Sequence, residues 1–273
     1  MAIITCVVVA VKNWSEELEK TIKDDYGPRG TAGRVEVDQI DNSQANGICA
    51  KYNLAIEKII SLYGSRKDEP SFWGISNYSW VVFSHDDVLI KTSHANLNLA
   101  FNQVAAKGAD IVCAAGTTQI PPLDPGYWWK GLTEAGFRGS GSVIHRTPGT
   151  DDILHIESYG PYPQQVAAFD GLWFAVRLST LLNQPKLRFE DSLPGYHYYD
   201  VDFAATARSL DLSLWTMDIQ LLHNKWGRGM EDPAFEQHQK LFIDKWSKQK
   251  HLYYRGAPPQ QNISFIDSTS AFK

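Results

Sequence analysis

The run IITCVVVAV, residues 3–11, has no polar face at all. A strand built from it must be covered on both sides. That is the pattern of a central strand in a parallel sheet flanked by helices. The next hundred residues fit the same plan. Residues 15–25 read as a polar helix, with Ser15 as N-cap and Leu18 and Ile22 inward. RVEVDQI (34–40) alternates like a second strand. A helix from about 44 to 62 repeats Ile48, Tyr52, Ala55, Ile59 and Leu62 at helical spacing. Trp80–Phe83 is a third strand, 94–107 another helix, and ADIVCAAG (109–116) another buried strand. The expectation is an α/β fold with a mostly parallel, Rossmann-like central sheet.

Beyond residue 116 the order loosens. Residues 117–131 form a loop rich in Pro, Gly and Trp. GSGSVIHR and DDILHIES read as strands of a small antiparallel hairpin region. FDGLWFAVRLS (169–179) reads as a strand and a short helix, 200–211 as a helix, and 212–224 as holding a last strand. Residues 233–250 are expected to form an amphipathic helix whose Leu241, Phe242 and Trp246 pack on the core. No linker or internal repeat interrupts the chain. The expectation is one domain over 1–256, with halves at 1–115 and 116–230, a C-terminal helix at 231–256 and a mobile tail at 257–273.

The formal charge of −5 argues against a nucleic-acid partner, since such binding rests on basic side chains that neutralise phosphates. Three cysteines without CxxC spacing fit a reducing compartment rather than a disulfide framework. The apolar start has no basic leader and is too short to span a bilayer, and no other run is long enough. A cytoplasmic location without a transmembrane segment is therefore expected, with peripheral membrane contact open to the basic, aromatic C-terminal helix.

Three polar signals interrupt the apolar pattern. The first is Ser84-His85-Asp86-Asp87, at the carboxyl end of a buried strand. Ligands of open α/β sheets bind at that edge. Two acids there repel a phosphate unless a divalent cation joins them, because hard cations take carboxylate and phosphate oxygens together. No Gly-rich phosphate loop follows the first strand, so a phosphate ligand would need such a cation. Alternatively, the acids merely cap the turn or the helix beyond it. The second signal is Asp200 and Asp202 at the start of a helix, where the dipole alone stabilises acids. The third is His223, which ends an apolar strand before a Gly-rich loop. A histidine so placed is more often a hydrogen-bonded structural residue than a ligand.

Four segments in order, IDNSQANGICAKYNLAI (40–56), VVFSHDDVLI (81–90), AAFDGLWFAVR (167–177) and GYHYYDVDFAATARSLDLSLWTMDIQLLHNKWG (195–227), resemble a known family. The chain is similar to GT-A-type glycosyltransferases, nearest to the inverting family 2 group and its streptomycin-biosynthesis-like branch. The resemblance implies a sugar-nucleotide donor, a Mn²⁺ or Mg²⁺ ion, and a glycan, lipid-linked or small-molecule acceptor. It places the family's Asp-x-Asp motif on His85-Asp86-Asp87, with His85 where an acid is usual. Asp87 and His223 become metal ligands. Ala10, Asp41, Asn42, Asn53 and Asp86 become contacts of the nucleotide. Asp170 and Gly171 fall on the acceptor side. Trp128 and Trp129 serve equally as aromatics that face the acceptor sugar or as core and loop packing. Asp200 becomes the base that takes the acceptor proton, with Tyr199 in place of the acid that commonly precedes it. Two other readings remain: a non-catalytic sugar-nucleotide or glycan-binding relative, and a metal-dependent phosphohydrolase or nucleotidyltransferase using the same acids.

Overall fold

A computed structural model describes residues 3–10, 16, 20, 24–26, 36–37, 47–66, 69, 77–121, 125–128, 139–147, 153–193, 195–224 and 232–253. The first half contains β1 (Ile3–Ala10), β2 (Glu36–Val37), α1 (Gly47–Tyr63), β3 (Ser79–His85), β4 (Val88–Ile90), α2 (His94–Ala106) and β5 (Ile111–Cys113). Then come β6 (Ala115–Thr117), β7 (Gly139–Arg146), β8 (Leu154–Gly160), β9 (Ala168–Phe169), β10 (Trp173–Arg177) and α3 (Leu178–Asn183). The chain ends with α4 (Tyr199–Ser209), β11 (Leu214–Thr216), β12 (Leu221–His223) and α5 (Pro233–Trp246).

The first sheet has six strands in the order β11-β5-β10-β3-β1-β2. The polarity-free first run is β1, parallel to both β2 and β3. β10 runs against both of its neighbours, β3 and β5. The sheet is therefore mixed: β10 alone runs against the direction shared by the other five strands. The second sheet is more than a hairpin region. It holds six strands, β4-β12-β7-β6-β9 with β8 on the free flank of β7, and four of its five pairings are antiparallel.

ADIVCAAG, read as one strand, serves both sheets. β5 ends at Cys113 and pairs with β10, while β6 begins at Ala115 and pairs with β7 and β9. Every residue from Ile111 to Thr117 is buried, so burial has no period that marks the break. The close approach of β7 at this point needs a glycine. A Cβ on Gly141, whose φ is +90°, would overlap the carbonyl oxygen of Ala114.

One hydrophobic cluster joins both sheets and the helices. α1 packs on β1 and α3, burying Ile48, Tyr52, Ala55, Ile56 and Ile59. Leu62, expected on that face, lies outside it at 51% exposed. α5 buries Phe235, His238, Phe242 and Trp246, but Leu241 faces solvent. The buried carboxylate of Asp202 fastens this helix, accepting from Trp246 Nε1 at 2.7 Å and from Lys245 Nζ at 3.0 Å. Among the described residues no helix is long and apolar enough to cross a membrane. The tail at 257–273 lies outside the described residues.

Candidate metal and acid site

The reversal of β10 assembles the site. In a parallel strand the first residue would lie at the far edge of the sheet from the end of β3. Here Trp173, the first residue of β10, pairs with Ser84 near the end of β3. The turn before it, Asp170-Gly171-Leu172, thus meets His85-Asp86-Asp87 at one edge. The His85 N–H donates to the Leu172 carbonyl at 3.0 Å and ties the two turns together.

β12 arrives from the second sheet. His223 is paired with Val88 on one side and with His145 on the other. Its successor's N–H, on Asn224, donates to the Asp87 carbonyl at 2.8 Å. This backbone clip sets His223 Nε2 3.4 Å from Asp87 Oδ1. His85, Asp87 and His223 each offer one ligand atom, all within 4.8 Å of one another. Two imidazoles and a carboxylate at such spacing can hold a divalent ion. Burial pushes the His85 pKa down, against the opposing pull of Asp87 and Asp170, and burial also lowers His145. A neutral imidazole is the form that binds metal. His85 Nε2 lies 2.6 Å from the Tyr199 hydroxyl. When Nε2 carries the proton and donates to that oxygen, Nδ1 keeps the lone pair a cation needs. A hydrogen bond on the outer nitrogen orients the ring of a ligating histidine.

The acids lie beside this group. Gly171 N–H donates to Asp200 Oδ2 at 2.9 Å, and Val201 N–H to Asp200 Oδ1 at 2.8 Å. Asp170 Oδ1 accepts from Leu172 N–H at 3.1 Å. Burial, and then the charge of Asp170, lift the Asp200 pKa from 3.8 to about 7, against the pull of its backbone donors. The packing that permits this is tight. A Cβ on Gly171 would overlap the Tyr199 hydroxyl and come within 2.7 Å of the Asp200 Cβ. Tyr198 takes up the left-handed conformation, φ 63°, at the entry to α4.

The other expected residues are placed variously. Ala10 is the register partner of His85, so the end of β1 reaches the same edge. Asp86 sits half-buried in the turn, and its charge, after burial, raises the pKa of the exposed Tyr196. Asn53, expected at the nucleotide, is bound within the fold instead. Its Nδ2 donates to the Phe189 carbonyl and to Asp191 Oδ1, and its Oδ1 accepts from Phe189 N–H, each at 2.9 Å. Trp128, expected on the acceptor side, is 3% exposed and packs at 5.4 Å against Tyr159. A ring so covered packs as a core residue does, one of the two uses open to it. Asp41, Asn42 and Trp129 lie outside the described residues.

Two members of the neighbourhood went unread in the sequence. His145 lies with its ring 5.4 Å from that of His223, and its Nε2 is 3.6 Å from Glu157 Oε2. The only signal was a histidine in an otherwise ordinary strand. Tyr199 was visible as the residue before Asp200, but not as the partner of His85.

No family model matches the chain, and no curated protein matches it. Solved structures with a loose likeness include the following two. One is A197 from STIV, 15% identical, covering 83% of this chain and 87% of that chain, with a TM-score of 0.41. The other is GalNAc-T7 with UDP, GalNAc and Mn²⁺, 10% identical, covering 90% of this chain and 42% of that chain, with a TM-score of 0.47. Neither is close enough to argue from.

Proposed function

We propose that the chain is a metal-dependent inverting glycosyltransferase that moves a sugar from a nucleoside diphosphate to an acceptor hydroxyl. The observation that carries this reading is the meeting of a His/Asp/His group with the Asp170–Asp200 pair at one sheet edge. The motif resemblance supports it independently. His85, Asp87 and His223 would hold the cation, which supplies positive charge to a diphosphate. Imidazole donors suit Mn²⁺ better than Mg²⁺, an ion that favours oxygen ligands.

The rest of the reaction falls to this chain's own groups. The acceptor oxygen attacks the anomeric carbon, and its proton passes to the Asp200 carboxylate. The bond from that carbon to the phosphate oxygen breaks, and its electron pair leaves with the diphosphate. A single base is enough for displacement with inversion. A pKa of about 7 matches the task, since a general base works best near the ambient pH. The Gly171 and Val201 N–H groups hold the carboxylate in one orientation.

The test is a calorimetric Mn²⁺ titration paired with a transfer assay over a panel of sugar nucleotides and acceptors. Asp87→Asn should lose metal binding. Asp200→Asn should keep metal binding and lose transfer by about 10²–10⁴-fold. Full transfer by both variants would refute these roles. Donor binding without turnover by the wild type, on every acceptor, would favour the non-catalytic reading.

A further inference from the structure

Among the described residues strand β8 is one of the open edges of the second sheet. Among the described residues its one strand partner is β7. An edge strand presents a row of main-chain groups ready to pair with another chain. One bond shows which residues present them. Thr147 N–H donates to the Ile153 carbonyl, so Ile153 turns its main chain toward β7. Alternation along an antiparallel ladder then turns His155 and Glu157 toward β7, and Leu154, Ile156 and Ser158 outward.

The side chains are not those of a guarded edge. Ile153, Leu154 and Ile156 are 56%, 51% and 65% exposed. Natural edges are blunted by lysine or proline, and residues 153–158 contain neither.

We propose that β8 is a self-association edge: two copies of this chain pair their β8 strands antiparallel about a two-fold axis at Ile156. The order His155-Ile156-Glu157 is self-complementary, and this selects a second copy as the occupant and fixes the register. With the axis at Ile156, His155 of each copy faces Glu157 of the other, so an imidazole–carboxylate pair forms twice. The two groups lie on one face and approach within 3.9 Å inside a single chain. An axis one residue earlier sets His155 against His155, and one residue later sets Glu157 against Glu157. Like groups directly opposite weaken a ladder. On the other face the two Ile156 side chains meet, and Leu154 lies against Ser158 of the second copy. The outward N–H and C=O groups of Ile156 bond reciprocally across the axis.

Cysteine scanning of the full chain tests the register. Paired Cα atoms at a hydrogen-bonded position are about 5.5 Å apart, within the roughly 4.4–6.8 Å that a disulfide spans. Ile156→Cys should therefore form a covalent dimer on oxidation. Leu154→Cys should not, because its counterpart lies four residues along the strand, about 14 Å away. The native Cys6, Cys49 and Cys113 are buried and should stay out of the reaction. In sedimentation over a dilution series the wild type should pass from monomer to dimer, and Ile156→Lys should remain monomeric. A wild type that stays monomeric, an Ile156→Lys protein that still dimerises, or equal cross-linking of the two cysteine variants would each overturn the proposal.

Discussion

The Tyr199 hydroxyl lies 2.6 Å from Nε2 of His85, although 114 residues separate them in the chain. Tyr199 is 3% exposed, so no water replaces this contact without a rearrangement. The bond holds one imidazole of the candidate metal group in a single orientation. Tyr199→Phe should weaken Mn²⁺ binding by about 10–100-fold in a calorimetric titration. An unchanged affinity would show that His85 needs no such partner or does not bind the ion.

Gly171 stands where the turn before β10 touches α4. Gly171→Ala forces a methyl group against the Tyr199 hydroxyl and the Asp200 Cβ. Overpacking of this kind costs about 1–3 kcal/mol. Urea unfolding should register that loss, and Mn²⁺ affinity should fall with it through the displaced Tyr199. A variant as stable as the wild type would mean that α4 can back away freely.

Asp200 makes stability depend on pH. Its carboxyl is lifted from 3.8 to about 7 in the folded chain, so the fold prefers the protonated form. Below pH 3.8 the group is protonated in both states and its contribution to stability is fully present. As the pH rises toward 7 the unfolded chain releases the proton first, and that contribution is lost. Asp200→Asn should flatten this segment of a plot of urea midpoint against pH. Parallel plots for the two proteins would remove the claim. The same shift predicts that transfer activity rises through about pH 7 as the base ionises.

Asp202, two residues on, has a different job. It anchors α5 through Trp246 and Lys245. Asp202→Ala leaves the buried indole N–H without its acceptor, a penalty of about 1–3 kcal/mol. The urea midpoint should fall accordingly, with Mn²⁺ affinity intact. Loss of metal binding without loss of stability would overturn the anchoring role given to Asp202.

The sequence was most legible where burial leaves a pattern. β1, α1 and α4 could be read from β-branched runs and helical spacing. The meeting of Asp87 with His223 could be read only through a motif resemblance, because 136 residues of chain carry no local mark of it. The bond from Tyr199 to His85 left no trace, since no local pattern links a strand end to a helix start 114 residues away. The division of ADIVCAAG between two sheets was invisible because every position from Ile111 onward is buried. The fold uses the Asn53 amide to bind the 189–191 segment and buries the Trp128 indole, and neither use has a local mark in the sequence.

The backward course of β10 has an energetic corollary. Hydrogen-bonded on both flanks, it fixes the Asp170 turn before any visitor arrives. Little conformational freedom is then left to surrender on capture, and groups already in position lower a barrier without waiting for a closing motion. The edge is a workbench laid out in advance, its tools held in place by the sheet itself.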